Sequence, residues 1–311
     1  MKTIFVIFAV LLITLLGTIS CDKIENAYPP KFDIDTTLYP GNWDDYMANE
    51  YPVFGTNPNT QQNVLIEEYT GHLCNNCPTA AELAHNIKYS NPSRIFVAAI
   101  HAGPSNNGIT SFQSLSSDPT KFQTDHTNPS GLAYGAYFQS GFNFFGNPQG
   151  TVNRKTVDGK MFDFTGTWQT RVTNILNEND PKVLVQSIFN YFPQSNGGFL
   201  HIETEKIKSV EEQLNVVVYI VQDSLVDWQL MPNNTYNENY THYDKHLGNI
   251  NGLTWGEQVF TANQSVGTKT VKDYSFSVPN GYDAEELYFL IYVYNRSTYE
   301  IYQVIQQRLT E

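Results

Sequence analysis

Val64-Leu65-Ile66-Glu67-Glu68-Tyr69-Thr70-Gly71-His72-Leu73-Cys74-Asn75-Asn76-Cys77-Pro78 is the stretch whose reading decides the fold. A β-prone apolar run meets two carboxylates, breaks at Thr70-Gly71, and delivers Cys74-Asn75-Asn76-Cys77 directly ahead of a helical pattern. In that pattern Ala80, Leu83, Ala84 and Ile87 share one face. Pro78 suits a first helical turn, whose N–H groups have no intrahelical partner. A helix N-terminus stabilises a thiolate. Cys74 is therefore expected as the nucleophile of a dithiol site and Cys77 as its resolving thiol.

Working outward, Asn91-Pro92-Ser93 ends the helix and Arg94–His101 is a continuous apolar run, the mark of a buried central strand. Strand, helix and strand make a βαβ unit. The C-x-x-C lies at the C-terminal end of its first strand, where open α/β sheets place their sites. Residues 102–145 read as an insertion with one short helix at Pro119–His126. Asn147-Pro148, a strand over Thr151–Arg154, a turn at Asp158-Gly159 and a helix over Thr165–Leu176 follow. From Lys182 the pattern changes to short strands: Val183–Tyr191, Gly198–Lys206, Leu214–Val221, Thr268–Val278, Leu287–Tyr294 and Ile301–Gln307. That spacing predicts an antiparallel, Ig-like β-sandwich. Asp223–Ser265 reads as a long loop. Its Trp228, Tyr236, Tyr240, Tyr243 and Trp255 are candidates for a glycan- or protein-binding surface, or for a cover on the sandwich.

At the N-terminus, Lys2 precedes an apolar run from Ile4 to Leu16, then Gly17-Thr18-Ile19-Ser20 and Cys21. This is the form of a signal peptide, too short to span a bilayer comfortably. The cysteine after it resembles that of a bacterial lipoprotein, lipidated on Cys21 and so anchored to a membrane. The chain holds three cysteines, and lipid on Cys21 leaves Cys74 and Cys77 with no odd thiol. Residues 21–60 read as a tether and extension whose later part (Trp43, Tyr46, Tyr51) is expected to pack on the first domain. A net charge of −13 gives nucleic acid no electrostatic support. Charged residues make up 16% of the chain against about 25% in ordinary globular proteins, so the surface is polar rather than ionic. No cofactor or metal is expected, because no second C-x-x-C or paired histidines follow at zinc-finger spacing. His242, Asp244 and His246 read as a solvated loop, His101 as a hydrogen-bonded residue at the core edge, and Glu67 as a solvent-facing strand residue.

From about Val64 to Leu176 the chain resembles the thioredoxin fold. The resemblance rests on the strand–CNNC–helix unit, the Arg94–His101 strand and Asn147-Pro148 ahead of the next strand. It implies a cis peptide at Pro148 beside the disulfide, and a buried carboxylate six residues before the first cysteine, which is Glu68, relaying a proton to Cys77. The chain departs from that pattern at Leu73, where tryptophan is usual, and at the Asn75-Asn76 pair. The signal, the EEYTG-x-x-C-x-x-CP and GNPQGTVNR segments and GLTWGE together resemble the Omp28-related outer-membrane lipoproteins of Bacteroidetes. Asp35-Thr36-Thr37 and Asp223-Ser224-Leu225 resemble that phylum's O-glycosylation signal. The expected division is a signal peptide over 1–20, an extension over 21–60, a thioredoxin-like domain over 61–180 and a β-sandwich over 181–311. The resemblance implies a lipid-anchored cell-envelope protein of the outer membrane. Two functions remain open: disulfide exchange with envelope proteins through Cys74 and Cys77, or non-catalytic surface binding with the pair as a structural staple.

Overall fold

Every residue of the Val64–Thr70 strand is buried, so it must be covered on both faces, and the rest of the chain supplies the covers. The computed structural model describes residues 34–310. The expected signal peptide, Cys21 and the first part of the tether lie outside the described residues. In chain order the elements are α1 (Trp43–Asn49), β1 (Val64–Thr70), α2 (Cys77–Ser90), β2 (Ile95–His101), α3 (Pro129–Phe138), β3 (Gln149–Val152) and α4 (Trp168–Glu178). The strands β4 (Val183–Phe192), β5 (Gly197–Lys206), β6 (Leu214–Leu230), β7 (Tyr236–Asn249), β8 (Glu257–Phe260), β9 (Lys269–Ser277), β10 (Leu287–Asn295) and β11 (Ile301–Arg308) follow. The architecture is mixed α/β and mostly sheet.

The large sheet runs β11-β10-β6-β7-β2-β1-β3 with β8 attached to β6, and β4-β5-β9 form a second sheet. The large sheet crosses the boundary expected near residue 180, joined where Ala99 of β2 pairs with Lys245 of β7. On one face of β1, Val64 and Ile66 pack with Ala84 and Ile87 of α2 and with Trp168 and Val172 of α4. On the other, Leu65 and Tyr69 meet Tyr134 and Phe138 of α3 and Tyr219 and Tyr292 from β6 and β10. A further core lies between the sheets, where Val183, Leu200 and Ile202 pack with Val216, Val218 and Phe289.

Three expectations are corrected. Pro119–His126 forms no helix; the insertion's helix is α3, because Asn128 caps it by accepting a hydrogen bond from the Gly131 N–H at 2.8 Å, with Pro129 in its first turn. Most of Asp223–Ser265 is not a loop: β6 continues to Leu230 and turns through Met231–Thr235 into β7. Its polar and aromatic side chains mask the strand alternation, since much of this hairpin arm stands clear of the core. The 34–60 extension packs not on the first half but on the small sheet, with Tyr46 against Phe192 and Phe199.

Glu67 is fully buried rather than solvent-facing. Arg154 clamps it with Nε to Oε2 and Nη2 to Oε1, both at 2.7 Å. The Tyr219 hydroxyl donates to Oε1 at 2.7 Å and the Thr151 hydroxyl to Oε2 at 2.9 Å. Burial alone would raise the Glu67 pKa, but the Arg154 charge and these donors hold it below the ordinary range. The guanidinium lies 5.0 Å from the Tyr134 ring centre and 5.4 Å from that of Tyr292. Removing one member leaves a buried charge unpaired. Arg154→Met is therefore expected to cost about 3–5 kcal/mol in urea denaturation at pH 7. The double variant Glu67→Met/Arg154→Met should cost less than Arg154→Met alone, a non-additivity that a merely local packing role would not give.

Candidate functional site

Strand alternation places Glu67 and Glu68 on opposite faces of β1. Glu67 reaches the aromatic core, and Glu68 turns toward α2, whose first residue is Cys77. Cys74 and Cys77 are joined as a disulfide, and each is only 1% exposed. The Asn147-Pro148 peptide is cis. The loop carrying the disulfide is held from two sides. From the insertion, the Phe112 carbonyl accepts the Leu73 N–H at 3.0 Å and Gln113 Nε2 donates to the Thr70 carbonyl at 2.7 Å. Gly71 makes that approach possible, since a Cβ there would lie 2.5 Å from the Phe112 oxygen.

From the other side the β6–β7 arm lies over the site. Gln229 Nε2 donates to the Cys74 carbonyl at 3.0 Å, the Leu230 N–H donates to the His72 carbonyl at 2.8 Å, and Asn75 Nδ2 donates to Asn234 Oδ1 at 3.1 Å. Sequence reasoning missed Gln229 and this cover because a single-strand pattern does not reveal which loop a hairpin will fold onto.

Beneath the arm, a cavity of about 20 Å³ is lined by Glu68, Cys77, His101, Gln229, Tyr240 and His242. That is room for one water. Glu68 is 2% exposed and its Oε1 has no hydrogen-bond partner in the protein. Burial, with the nearby Asp244 charge adding, pushes its pKa up to about 8 against a weaker pull from Thr70. At neutral pH it is thus largely a neutral carboxylic acid facing the resolving cysteine.

Next to it lies a histidine cluster that the sequence did not foretell. His101 is buried but neither ring nitrogen has a hydrogen-bond partner, which corrects the expected hydrogen-bonded role. His242, Asp244 and His246 are buried, not solvated, and they diverge. Asp244 takes a 2.6 Å ion pair from Lys88, His246 packs on Tyr219 with ring centres 4.2 Å apart, and His242 joins His101 and His126.

The five candidate surface aromatics do not form one patch. Trp228 and Tyr236 flank Phe122, Tyr243 stacks on His85 of α2, Tyr240 lines the cavity, and Trp255 packs apart from the arm against Tyr134 and Tyr299. A larger cleft of about 590 Å³ between the turn after β3 and α4 shares no residue with the disulfide site. Its ions pair among themselves, Arg171 with Asp163 and Lys155 with Glu178.

A family described as outer membrane protein Omp28 matches residues 136–311. Among solved structures, HBP35 of Porphyromonas gingivalis is similar at 15% identity and a TM-score of 0.59, over 81% of this chain and 76% of that one. A protein from Agrobacterium tumefaciens aligns at 15% identity and a TM-score of 0.46, over 80% of this chain and 95% of that one. A domain of the outer membrane lipoprotein Omp28 from P. gingivalis aligns at 17% identity and a TM-score of 0.27, over 42% of this chain and 88% of that domain. No curated protein matches the chain.

Glu68 carries a stability signature. Its folded pKa of about 8 stands above the ordinary 4.5. Stability from its neutral form is complete below about pH 4.5 and is lost as pH rises toward 8. A Glu68→Gln variant escapes that loss. Its stability relative to the parent should rise by about 1.4 kcal/mol per pH unit across this window. Urea denaturation at several pH values reads the difference, and a flat difference would mean that Glu68 is already ionised when folded.

Proposed function

The chain belongs to the Omp28 family of outer membrane proteins, and from that premise we propose a lipoprotein, anchored through Cys21, that exchanges disulfides with other envelope proteins. The observation that carries this reading is Glu68, a neutral buried carboxyl facing Cys77 across a water-sized cavity. A staple has no use for an unsatisfied acid at that point, whereas an exchange site needs a proton donor and acceptor there. Residues 61–180 are read as a thioredoxin-like unit carrying this site and residues 181–311 as an Ig-like β-sandwich. The strand–C-x-x-C–helix–strand order and the two packed sheets support that division. Residues 1–20 are read as the signal and 21–60 as the extension from the anchor.

In the exchange, a client thiolate attacks Cys74 Sγ and breaks the Cys74–Cys77 bond. Cys77 leaves as a thiolate and takes a proton from Glu68, directly or through the cavity water. A second client thiolate then attacks the client sulfur of the mixed disulfide and releases Cys74. Two client thiols become one disulfide, and the Cys74–Cys77 pair becomes a dithiol. In the reverse direction Cys74 attacks a client disulfide and Cys77, deprotonated by Glu68, resolves it. For either direction the arm must lift from Cys74.

A second reading, a non-catalytic surface protein with a structural disulfide, is favoured by the 1% exposure of both cysteines. In that case a glycan or protein partner would meet arm aromatics such as Tyr236 and Tyr243, which are 56% and 45% exposed. A Cys77→Ser variant separates the two readings. Exchange predicts mixed disulfides with envelope proteins on non-reducing gels, increased by Gln229→Ala, which loosens the arm. A trap that captures nothing, together with a reduction potential below roughly −300 mV, would establish the staple. Separately, Cys21→Ala should move the protein from the membrane to the soluble fraction; retention in the membrane would rule out this anchor.

A further inference from the structure

Four of the seven histidines meet beyond the end of β2, under the arm. The ring centres of His101 and His126 are 4.9 Å apart, those of His126 and His242 5.1 Å, and those of His101 and His242 5.6 Å. His72 adds a fourth ring 5.3 Å from His126. They come from β2, the insertion, β7 and the loop before the disulfide, so no sequence spacing announces them. None is more than 6% exposed.

The polar neighbours of the rings bear on which nitrogen of each carries the proton. The Asp227 carboxylate lies 3.3 Å from His126 Nε2, which places the proton there and leaves Nδ1 a lone pair without a partner. His242 donates to the Trp228 carbonyl, and its Nε2 is left without a partner. His101 has no hydrogen-bond partner at either nitrogen. Each ring therefore offers a buried, unsatisfied acceptor, and their neighbours hold two of them in the tautomer that a cation requires.

We propose that His101, His126 and His242 form a binding site for one divalent transition-metal ion of the zinc class. A nitrogen–zinc bond of about 2.0–2.1 Å in a tetrahedral site sets ring centres about 5 Å apart, and the three separations lie there already. Among the described residues no three donors yet surround a common point at bonding distance. The ring positions fit and the ring orientations do not, so loading turns the imidazoles inward about their soft terminal torsions. Neutral imidazoles select zinc, copper or nickel over magnesium or calcium. The amine of Lys245, whose field reaches all four rings, is itself pushed by burial toward its uncharged form. The Asp227 carboxylate, 3.3 Å from His126 Nε2, stands where carboxylates stand behind metal-bound histidines, and water takes the fourth place. The cysteines are tied in their disulfide and supply no ligand, while His101 and His242 also line the cavity between Glu68 and Cys77.

Cobalt(II) titration of the mature, disulfide-bonded chain at pH 7.5, followed by visible absorption with zinc(II) competition, tests the site. The expected result is one ion per chain with tetrahedral ligand-field bands. His101→Gln and His242→Gln should each weaken binding by at least about 10-fold, while His85→Gln leaves it unchanged. Since a buried substitution can unfold the chain, circular dichroism accompanies each variant. The unsubstituted protein provides a second readout: zinc should raise its Tm in proportion to the logarithm of metal concentration. Absence of saturable binding up to millimolar cobalt would overturn the proposal. So would binding indifferent to both substitutions, or binding that appears only after reduction, which would assign the ion to the cysteines.

Discussion

The buried Glu67–Arg154 pair ties the molecule together. Glu67 lies on β1, Arg154 just after β3, Tyr219 on β6 and Tyr292 on β10, and all four are joined by hydrogen bonds. Two charges removed from water cost several kcal/mol each unless their partners are complete. Here each carboxylate oxygen accepts two donors, and the guanidinium, whose Nη1 has no hydrogen-bond partner, is walled by aromatic rings. The N-terminal and C-terminal halves of the large sheet cannot separate without exposing this network, whereas the β2–β7 ladder alone joins them through one paired position. The network, more than the ladder, makes the two halves one body.

The neighbouring residue shows the opposite treatment. Glu68 is equally buried on the other face of the same strand, yet one of its oxygens has no donor, and it answers by holding its proton. Burial is common to both glutamates, so the difference lies in the partners available. An arginine arrives on one face, while the other offers a helix N-terminus, a disulfide and a cluster of imidazoles. Lone unsatisfied groups in a core are costly, and beneath the arm Glu68 shares this condition with His101, His126 and His242.

What the sequence reveals of this arrangement depends on how local each part is. The strand, the C-x-x-C, α2 and β2 are legible because apolar runs and helical spacing lie within a few residues. Glu68 is singled out only through the resemblance to the thioredoxin fold. The partner of Glu67 lies 87 residues away, and nothing in Glu67-Glu68 says which glutamate will meet an arginine. The β6–β7 arm escapes notice because its outward side chains, such as Val226 and Tyr236, and its polar Asn and Gln residues break the alternation by which strands are recognised. The histidine cluster draws on four separated segments and becomes visible only when the chain is folded.

The arm also sets the scale on which the disulfide can act. A thiolate must approach Cys74 along the S–S axis, and Gln229 and Leu230 lie across the loop that carries it. Opening breaks the Gln229–Cys74, Leu230–His72 and Asn75–Asn234 hydrogen bonds, each of which contributes about 0.5–1.5 kcal/mol net. A local opening cost of about 2–4 kcal/mol exposes the disulfide in roughly one molecule in 30 to one in 1,000. Exchange through such a state is slowed by that factor and not abolished. Indiscriminate reaction with small thiols is suppressed equally. In the proposed exchange, a partner that binds the lifted arm would offset part of the opening cost, and the cover would favour clients large enough to make that contact. Burial of the cysteines thus slows and filters exchange without by itself deciding between staple and exchange site. Glu68, buried beside Cys77 with its pKa pushed up to about 8, is the feature that supports the proposed exchange.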